Sequence, residues 1–319
     1  MQEVKSKISS KQSFLVCAAP YRNSSAGVIC LHELCDALVK LEYESHLVIM
    51  GGDAPNFTFH ASKDPAHFHP KLTRSGFTCD DLDKRINEII HSGITIYPEV
   101  VVGNPLNSRR VVRYFLNRDG AVTGHRSNFT KKDFILTYAD EYFQNPHYTL
   151  YKPITDEHFN DIDAPDWDRR PFNLTYIGKG SNYIKCSTIN KTIEITRQWP
   201  QTKANLAFIL RNSKYLFCWD NLTQLHADGV LCGAKPVLLQ DIQSNRHNGL
   251  YGPFGKLPYL IGSVKNNEVE LMEHDSYDAD RRSFIVRYRE KFDGWNGNVF
   301  QAVNTMLEFF IHSKNQRYP

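Results

Sequence analysis

Hydrophobic positions near the start of the chain predict a strand, a helix and a second strand. An apolar run over 14–19 ends at Pro20, and a polar loop follows it. Four leucines then recur at intervals of 3, 4 and 3 residues: Leu31, Leu34, Leu38 and Leu41. They share one face of a helix that Ser24 or Ser25 could cap. Because the next apolar run, 45–50, is reached through a helix, we expect the two strands to be parallel.

The same alternation continues through the first half of the chain. Helices are predicted over 80–91 and 109–116, and strands over 94–97 and 134–138. Residues 56–78 are polar, contain histidines and show little periodicity, which predicts a long loop.

The pattern starts again after residues 153–167, where the composition becomes acidic and aromatic, and we interpret this shift as a linker. The second half predicts these elements in order: strand 173–177, a glycine turn at 178–180, strand 192–196, helix 204–212, strand 215–219, helix 222–232, strand 236–239 and an amphipathic helix over 299–311. We therefore expect two α/β domains, 1–153 and 154–297, with a final helix of about 298–319 that packs back on the first domain.

The amino-acid composition argues against several classes of protein. The 319 residues contain 38 Lys+Arg against 35 Asp+Glu, a formal charge of +3, which argues against a general nucleic-acid binder. Seven cysteines without a Cys-x-x-Cys pair indicate reduced, buried thiols rather than a disulfide framework or a zinc ribbon. No apolar run approaches the ~18–20 residues that span a bilayer, and the first stretch is polar, so we expect a cytoplasmic protein.

Ligands of open α/β sheets bind beyond the carboxyl ends of the strands, and two loops there contain glycine. The loop 24–27, which ends in Gly27, precedes a helix and could present amides to an anion, as many such turns could. Gly178, Lys179 and Gly180 follow a predicted strand, so a phosphate could approach the backbone there and meet a cation. A glycine turn with a solvated lysine is the alternative.

Two carboxylates, Asp220 and Asp228, stand eight residues apart, at the end of a predicted strand and inside the helix after it. The predicted helix N-terminus at Asn221, Leu222 and Thr223 would offer backbone N–H groups to a phosphate. One acid beside a sugar and one beside a ribose would suit a nucleotide-sugar. The alternative is that Asp220 only caps the helix.

Two stretches of the first half resemble known glycosyltransferases. Residues 25–27 followed by 31–38 and 44–48 are similar to the opening of bacterial GT-B-fold glycosyltransferases, where a glycine-containing loop precedes the first helix. Residues 102–106 with 111–117 resemble a stretch of some members that act on surface polysaccharides.

The second half resembles this family more specifically. Retaining members carry Glu-x7-Glu, with the second Glu five residues before a Gly that precedes Pro-Val. Asp220 and Asp228 occupy those places here, followed by Gly233 and Pro236-Val237. Both family glutamates are therefore aspartates in this chain, with side chains one methylene shorter.

The resemblance implies a GT-B enzyme with two Rossmann-like domains facing a central cleft and without a metal. It implies that Asp220 contacts the donor-sugar hydroxyls, that Asp228 bonds to the ribose, and that the amides of 221–223 hold the diphosphate. Lys179 would stand near the phosphates, with Lys185 or Arg197 in place of a family arginine. Their positive charge would stabilise the departing nucleotide diphosphate.

Histidines supply candidates in the first domain. For an inverting reaction, His32 or Asp53 would be candidates for the general base, and a purely structural histidine is the alternative reading of His32. His60, His67 and His69 lie in the polar loop. We interpret them as acceptor-binding or surface residues rather than zinc ligands, because no cysteine or firm carboxylate pattern accompanies them.

We therefore expect a retaining glycosyltransferase of the hexosyltransferase class. It would move a sugar from a UDP- or GDP-sugar to a glycan or lipid-linked glycan in the synthesis of a bacterial O-antigen, lipopolysaccharide or capsule. We expect no metal or other cofactor and no nucleic-acid partner, and contact with the inner face of the membrane or with other polysaccharide enzymes. A sugar-nucleotide epimerase of the same fold and a non-catalytic carbohydrate-binding or scaffold protein remain the alternatives.

Overall fold

The chain divides into two compact units. A computed structural model describes residues 12–72, 82–154, 157–178, 185–220, 223–239, 251–252, 255–256, 258–272 and 275–315. Unit 1 comprises Met1–Lys152 and Lys291–Pro319, and unit 2 comprises Pro153–Glu290.

Unit 1 contains a sheet of seven strands in the order β3-β2-β1-β4-β5-β6-β7. These strands are β1 (Ser13–Ala18), β2 (Glu44–Gly51), β3 (Thr58–His60), β4 (Ile94–Pro98), β5 (Val111–Phe115), β6 (Phe134–Thr137) and β7 (Tyr148–Thr149). All neighbours pair in parallel except β2 and β3, which are antiparallel. Every residue of β1, β4, β5 and β6 is buried. Both faces of the sheet are therefore covered, which explains why these strands are continuous apolar runs.

Within the described residues, unit 1 has three α-helices. They are α1 (Ala26–Lys40), α2 (Leu82–Ser92) and α7 (Trp295–Asn315). The predicted leucine face of α1 is real, because Leu31, Leu34 and Leu38 are buried, although the helix ends before Leu41. The last helix, α7, packs on α1, and its Phe309 ring meets Phe134 edge to face at 5.5 Å.

Unit 2 contains a sheet of six strands in the order β15-β14-β11-β10-β8-β9. Its strands are β8 (Phe172–Tyr176), β9 (Ile193–Ile195), β10 (Ser213–Cys218), β11 (Lys235–Leu239), β14 (Leu260–Lys265) and β15 (Glu268–Met272), and β12 (Tyr251–Gly252) pairs separately with β13 (Gly255–Lys256). The helices are α3 (Ser187–Asn190), α4 (Lys203–Arg211), α5 (Leu225–Cys232) and α6 (Tyr277–Asp293). Only β14 and β15 pair antiparallel among the six.

The structure corrects several predicted elements. The helix predicted over 109–116 is wrong: Val111–Phe115 is the interior strand β5, and a short, fully buried run has no periodicity that separates strand from helix. The helix predicted to begin at 222 begins at Leu225. Part of the predicted loop 56–78 forms β3, and residues 73–78 lie outside the described part of the chain.

The predicted α/β class, with two Rossmann-like domains, is confirmed by the two parallel-dominated sheets and their crossover helices. Among the described residues, none of the helices combines the length and the apolar character that crossing a membrane requires.

Candidate functional site

Three candidate residues follow neighbouring strands at the carboxyl edge of the unit 2 sheet. Tyr176 of β8 is in register with Cys218 of β10 on one side and with Ile195 of β9 on the other. Gly178, Asp220 and Arg197 each follow their strand's registered residue by two positions. The parallel pairing of β8 and β10 therefore brings Gly178 close to Asp220, although the two lie 42 residues apart in the sequence.

Gly178 and Asp220 are in direct contact. Gly178 has a φ of +56°, a left-handed conformation that favours glycine. A Cβ added there would lie 2.7 Å from Oδ2 of Asp220 and 2.5 Å from Cε1 of Tyr176. The absence of a side chain thus lets the Asp220 carboxylate lie against the backbone of the turn after β8.

His226 ties Asp220 to helix α5. Its Nε2 lies 2.9 Å from the backbone oxygen of Asp220, so this nitrogen carries the proton and donates it to the carbonyl. Burial lowers the pKa of His226, which keeps the ring neutral. Its Nδ1 is buried and has no hydrogen-bond partner among the described residues. The residue thus fixes the path of the chain after β10 at the site.

Asp228 faces a side-chain network rather than open solvent. It lies in α5 and is 7% exposed. Nε2 of Gln224 donates to Oδ1 of Asp228 at 3.2 Å and to the hydroxyl of Tyr288 at 3.2 Å. A ribose that bonded to Asp228 would have to displace or join this network.

The remaining predicted donor residues divide into two groups. Lys179, Asn221 and Leu222 lie outside the described residues. Thr223 precedes α5, and its Oγ1 accepts the N–H of Leu225 at 3.3 Å, so it lies before the helix rather than in its first turn. Lys185 is exposed just before the short helix α3.

Gly27 belongs to unit 1, not to the unit that contains Gly178 and Asp220. It lies in the first turn of α1, and a Cβ there would meet Leu116 at an ordinary distance of 3.6 Å. The conformation and surroundings of residue 27 therefore do not require glycine.

His32 has no ring nitrogen left for proton transfer. It is fully buried, with Nε2 donating to the carbonyl of Ala19 at 3.0 Å and Nδ1 accepting the backbone N–H of His69 at 3.2 Å. Burial lowers its pKa to about 4. The predicted role of general base does not fit this geometry. The structural reading does fit, because the buried ring links the chain after β1 at Ala19 to the backbone of His69.

The predicted acceptor histidines cluster near the carboxyl end of β1. The carbonyl of His67 accepts the backbone N–H of Tyr21 at 2.9 Å, and the ring of His69 packs edge to face on Tyr21 at 4.7 Å. His60 lies in β3, with its ring 6.4 Å from that of His67. The described residues contain no group of three histidine, cysteine or acidic side chains arranged to hold a metal ion.

Sequence reasoning missed two acidic residues of unit 1. Glu99 directly follows β4 and is buried, and its Oε2 accepts the N–H of Leu116 at 3.0 Å. Its position after an apolar strand was a usable signal. Glu33 forms an ion pair of 3.0 Å with Lys152, whose ammonium lies 5.3 Å from the ring centre of Trp295. Glu33 and Lys152 lie 119 positions apart in the sequence, and no pattern in it links them.

No protein-family model and no curated protein match this chain. Among solved structures, the chain is similar to a sucrose-phosphate synthase from Thermosynechococcus elongatus, with 8% sequence identity and a TM-score of 0.46 over 95% of this chain and 100% of that one.

Proposed function

We propose that this protein is a glycosyltransferase that moves a sugar from a nucleotide-sugar to a glycan. The observation that supports this most directly is the carboxyl edge of the unit 2 sheet, where Gly178 lies against Asp220 and Arg197 follows the neighbouring strand β9. A bare backbone turn, a carboxylate and a cation there match the three demands of a nucleotide-sugar. These are close approach of the diphosphate, hydrogen bonds to sugar hydroxyls and neutralisation of phosphate charge.

The chemistry needs stabilisation of the leaving group more than a protein nucleophile. The bond between the anomeric carbon and the diphosphate oxygen breaks, and a bond from that carbon to an acceptor hydroxyl oxygen forms. Negative charge accumulates on the departing diphosphate, so Arg197 and Lys179 would lower the barrier by offsetting it. Asp220 would orient the donor sugar through its hydroxyls, and the acceptor proton would pass to the leaving phosphate in a retaining reaction.

The finer assignment rests on the sequence resemblance. It comprises a UDP- or GDP-hexose donor, a bacterial surface glycan or lipid-linked glycan as acceptor, retention of configuration and independence from metal. Cytoplasmic location with peripheral membrane contact belongs to the same proposal. His67 and His69 support an acceptor site in unit 1, because they lie at the carboxyl end of β1.

A non-catalytic carbohydrate-binding protein is a second candidate. The bond between Gln224 and Asp228 favours it, because this carboxylate is already engaged where the resemblance places a ribose contact. Such a protein would bind sugar without turnover.

The test is a thermal-shift screen with nucleoside diphosphates and nucleotide-sugars, followed by mass spectrometry of products. Selective stabilisation by one nucleotide, lost in Asp220→Asn and Arg197→Ala, supports the donor site by mass action. Lys191→Ala is the matched control, because exposed Lys191 lies two residues before β9 whereas Arg197 lies two residues after it.

Glycan product would support the transferase and rule out the non-catalytic candidate. The proposed donor site is contradicted if no nucleotide stabilises the protein. It is also contradicted if Lys191→Ala abolishes the stabilisation as strongly as Arg197→Ala does.

A further inference from the structure

An open groove of about 430 Å³ lies beyond Arg197 in unit 2, between the loop after β9 and helix α4. Its lining comprises Trp199, Pro200, Gln201, Asn205, Phe208 and Ile209. Its volume falls within the range of small-molecule sites, roughly 300–1,000 Å³.

The aromatic side chains of the groove are exposed on a fixed backbone. Trp199 is 41% exposed and Phe208 is 57% exposed. The N–H of Thr196 donates to the carbonyl of Trp199 at 2.9 Å, and Oγ1 of Thr196 accepts the N–H of Trp199 at 3.0 Å. These two hydrogen bonds hold the backbone of the turn that presents the indole. Little backbone conformational entropy is therefore lost when a ligand covers the ring.

Helix α4 supplies the opposite wall. Asn205, Phe208 and Ile209 are spaced i, i+3 and i+4 and therefore share one helix face. Ala207 and Leu210 are fully buried and anchor the other side of the helix. The apolar groove face is thus not needed for the core of unit 2.

The chemistry of the lining selects the ligand. All six lining side chains are uncharged, so the groove offers nothing to balance a phosphate or a carboxylate. Gln201 and Asn205 carry carboxamides, each of which can donate to one hydroxyl and accept from another. An exposed indole beside them provides a flat apolar surface for the C–H face of a sugar ring. Aromatic surface with carboxamides and without charge is the combination that a neutral sugar satisfies.

We propose that this groove binds a short stretch of neutral glycan. None of its lining residues is among those proposed to hold the nucleotide-sugar, and a glycan held here undergoes no reaction. In a glycosyltransferase it would retain the growing chain on unit 2, and the binding itself does not depend on transferase activity.

The experiment is calorimetric titration of the full chain with neutral tetrasaccharides of glucose, galactose and mannose. We expect at least one to bind, and Trp199→Ala to weaken it about tenfold or more, as loss of a stacked ring and its area would. Gln201→Ala and Asn205→Ala should each weaken it severalfold. Met272→Ala, which shortens another exposed apolar side chain of unit 2, should leave it unchanged.

Controls separate this proposal from the proposed function and from other occupants. Asp220→Asn should abolish nucleotide-dependent stabilisation but leave tetrasaccharide binding intact. Trp199→Phe should retain partial binding, which shows that the ring matters if Trp199→Ala is unstable. The proposal is overturned if no neutral tetrasaccharide binds, if binding survives Trp199→Ala, if free nucleosides bind there, or if Trp199 mediates only self-association.

Discussion

A Cβ on Gly178 would lie 2.7 Å from Oδ2 of Asp220, although 41 residues separate the two in the sequence. The contact follows from sheet register, because each residue stands two positions beyond the paired residues Tyr176 and Cys218. A side chain at 178 would therefore occupy the space beside the carboxylate where a ligand could reach the backbone.

Gly178→Ala should lower the affinity for the nucleotide-sugar and destabilise the protein by about 1–3 kcal/mol. The methyl group would both strain a left-handed backbone and displace Asp220. Thermal shift with and without the nucleotide measures both effects. Gly124→Ala is the matched control, because Gly124 has a φ of +77° and open space around it. An equal loss of ligand-induced stabilisation in both variants would contradict a specific role of Gly178.

Local periodicity predicted much of the fold. The spacing of Leu31, Leu34 and Leu38 identified α1, because one apolar helix face suffices to cover a sheet. Periodicity does not identify the buried strand β5, because Val111–Phe115 is too short to show a period and contains a charged residue, Arg113. Its guanidinium is buried through contacts with Asp133 and with carbonyls of another loop, which no local pattern encodes.

The candidate site was also partly predictable from local sequence patterns. Gly178 and Asp220 could be singled out because each follows an apolar strand, and strand ends gather at one sheet edge. The link from Asp228 through Gln224 to Tyr288 could not be predicted from the sequence. Tyr288 lies in α6, which is distant in the sequence and whose contacts depend on tertiary packing. The second position of the Glu-x7-Glu pattern therefore has a structural partner that its spacing does not reveal.

Arg113→Leu should reduce the free energy of unfolding by about 3–5 kcal/mol, because it leaves Asp133 as an uncompensated buried charge. Arg113 Nε lies 3.2 Å from Asp133 Oδ2, Nη1 donates to Val101 O at 2.9 Å, and Nη2 donates to Gly103 O. Urea unfolding of Arg113→Leu, Asp133→Leu and the double variant measures the coupling.

The matched control for this prediction is Arg85→Ala. Arg85 pairs with Glu44, but both side chains are more than a third exposed. Solvent screening should limit the loss to about 1 kcal/mol or less. Equal losses for the two arginine variants, or strict additivity of the Arg113 and Asp133 variants, would argue against a stabilising buried pair.

His32 should make the protein less stable as the pH falls from about 6.5 to about 4. Its folded pKa of about 4 lies below the ordinary 6.5, so the unfolded chain binds more protons in this window. The contribution is complete above pH 6.5 and amounts to something on the order of 3 kcal/mol. Urea unfolding at several pH values should show a flatter dependence for His32→Gln than for the original protein. His125→Gln, at an exposed loop position, should leave the slope unchanged, and identical slopes in all three proteins would refute the role of His32.

Cys30 and Cys232 should resist alkylation in the folded protein. Both thiols are fully buried, and burial raises the pKa of each to about 12. Because the thiolate is the reactive form, a shift of this size reduces its population roughly a thousandfold. Iodoacetamide labelling at pH 8, followed by peptide mass spectrometry, should modify both only after unfolding in urea. Val122→Cys supplies an exposed thiol as the positive control, since Val122 is 52% exposed. Labelling of Cys30 or Cys232 in the folded protein at the rate of residue 122 would show that these thiols are accessible, and would contradict their place in the two cores.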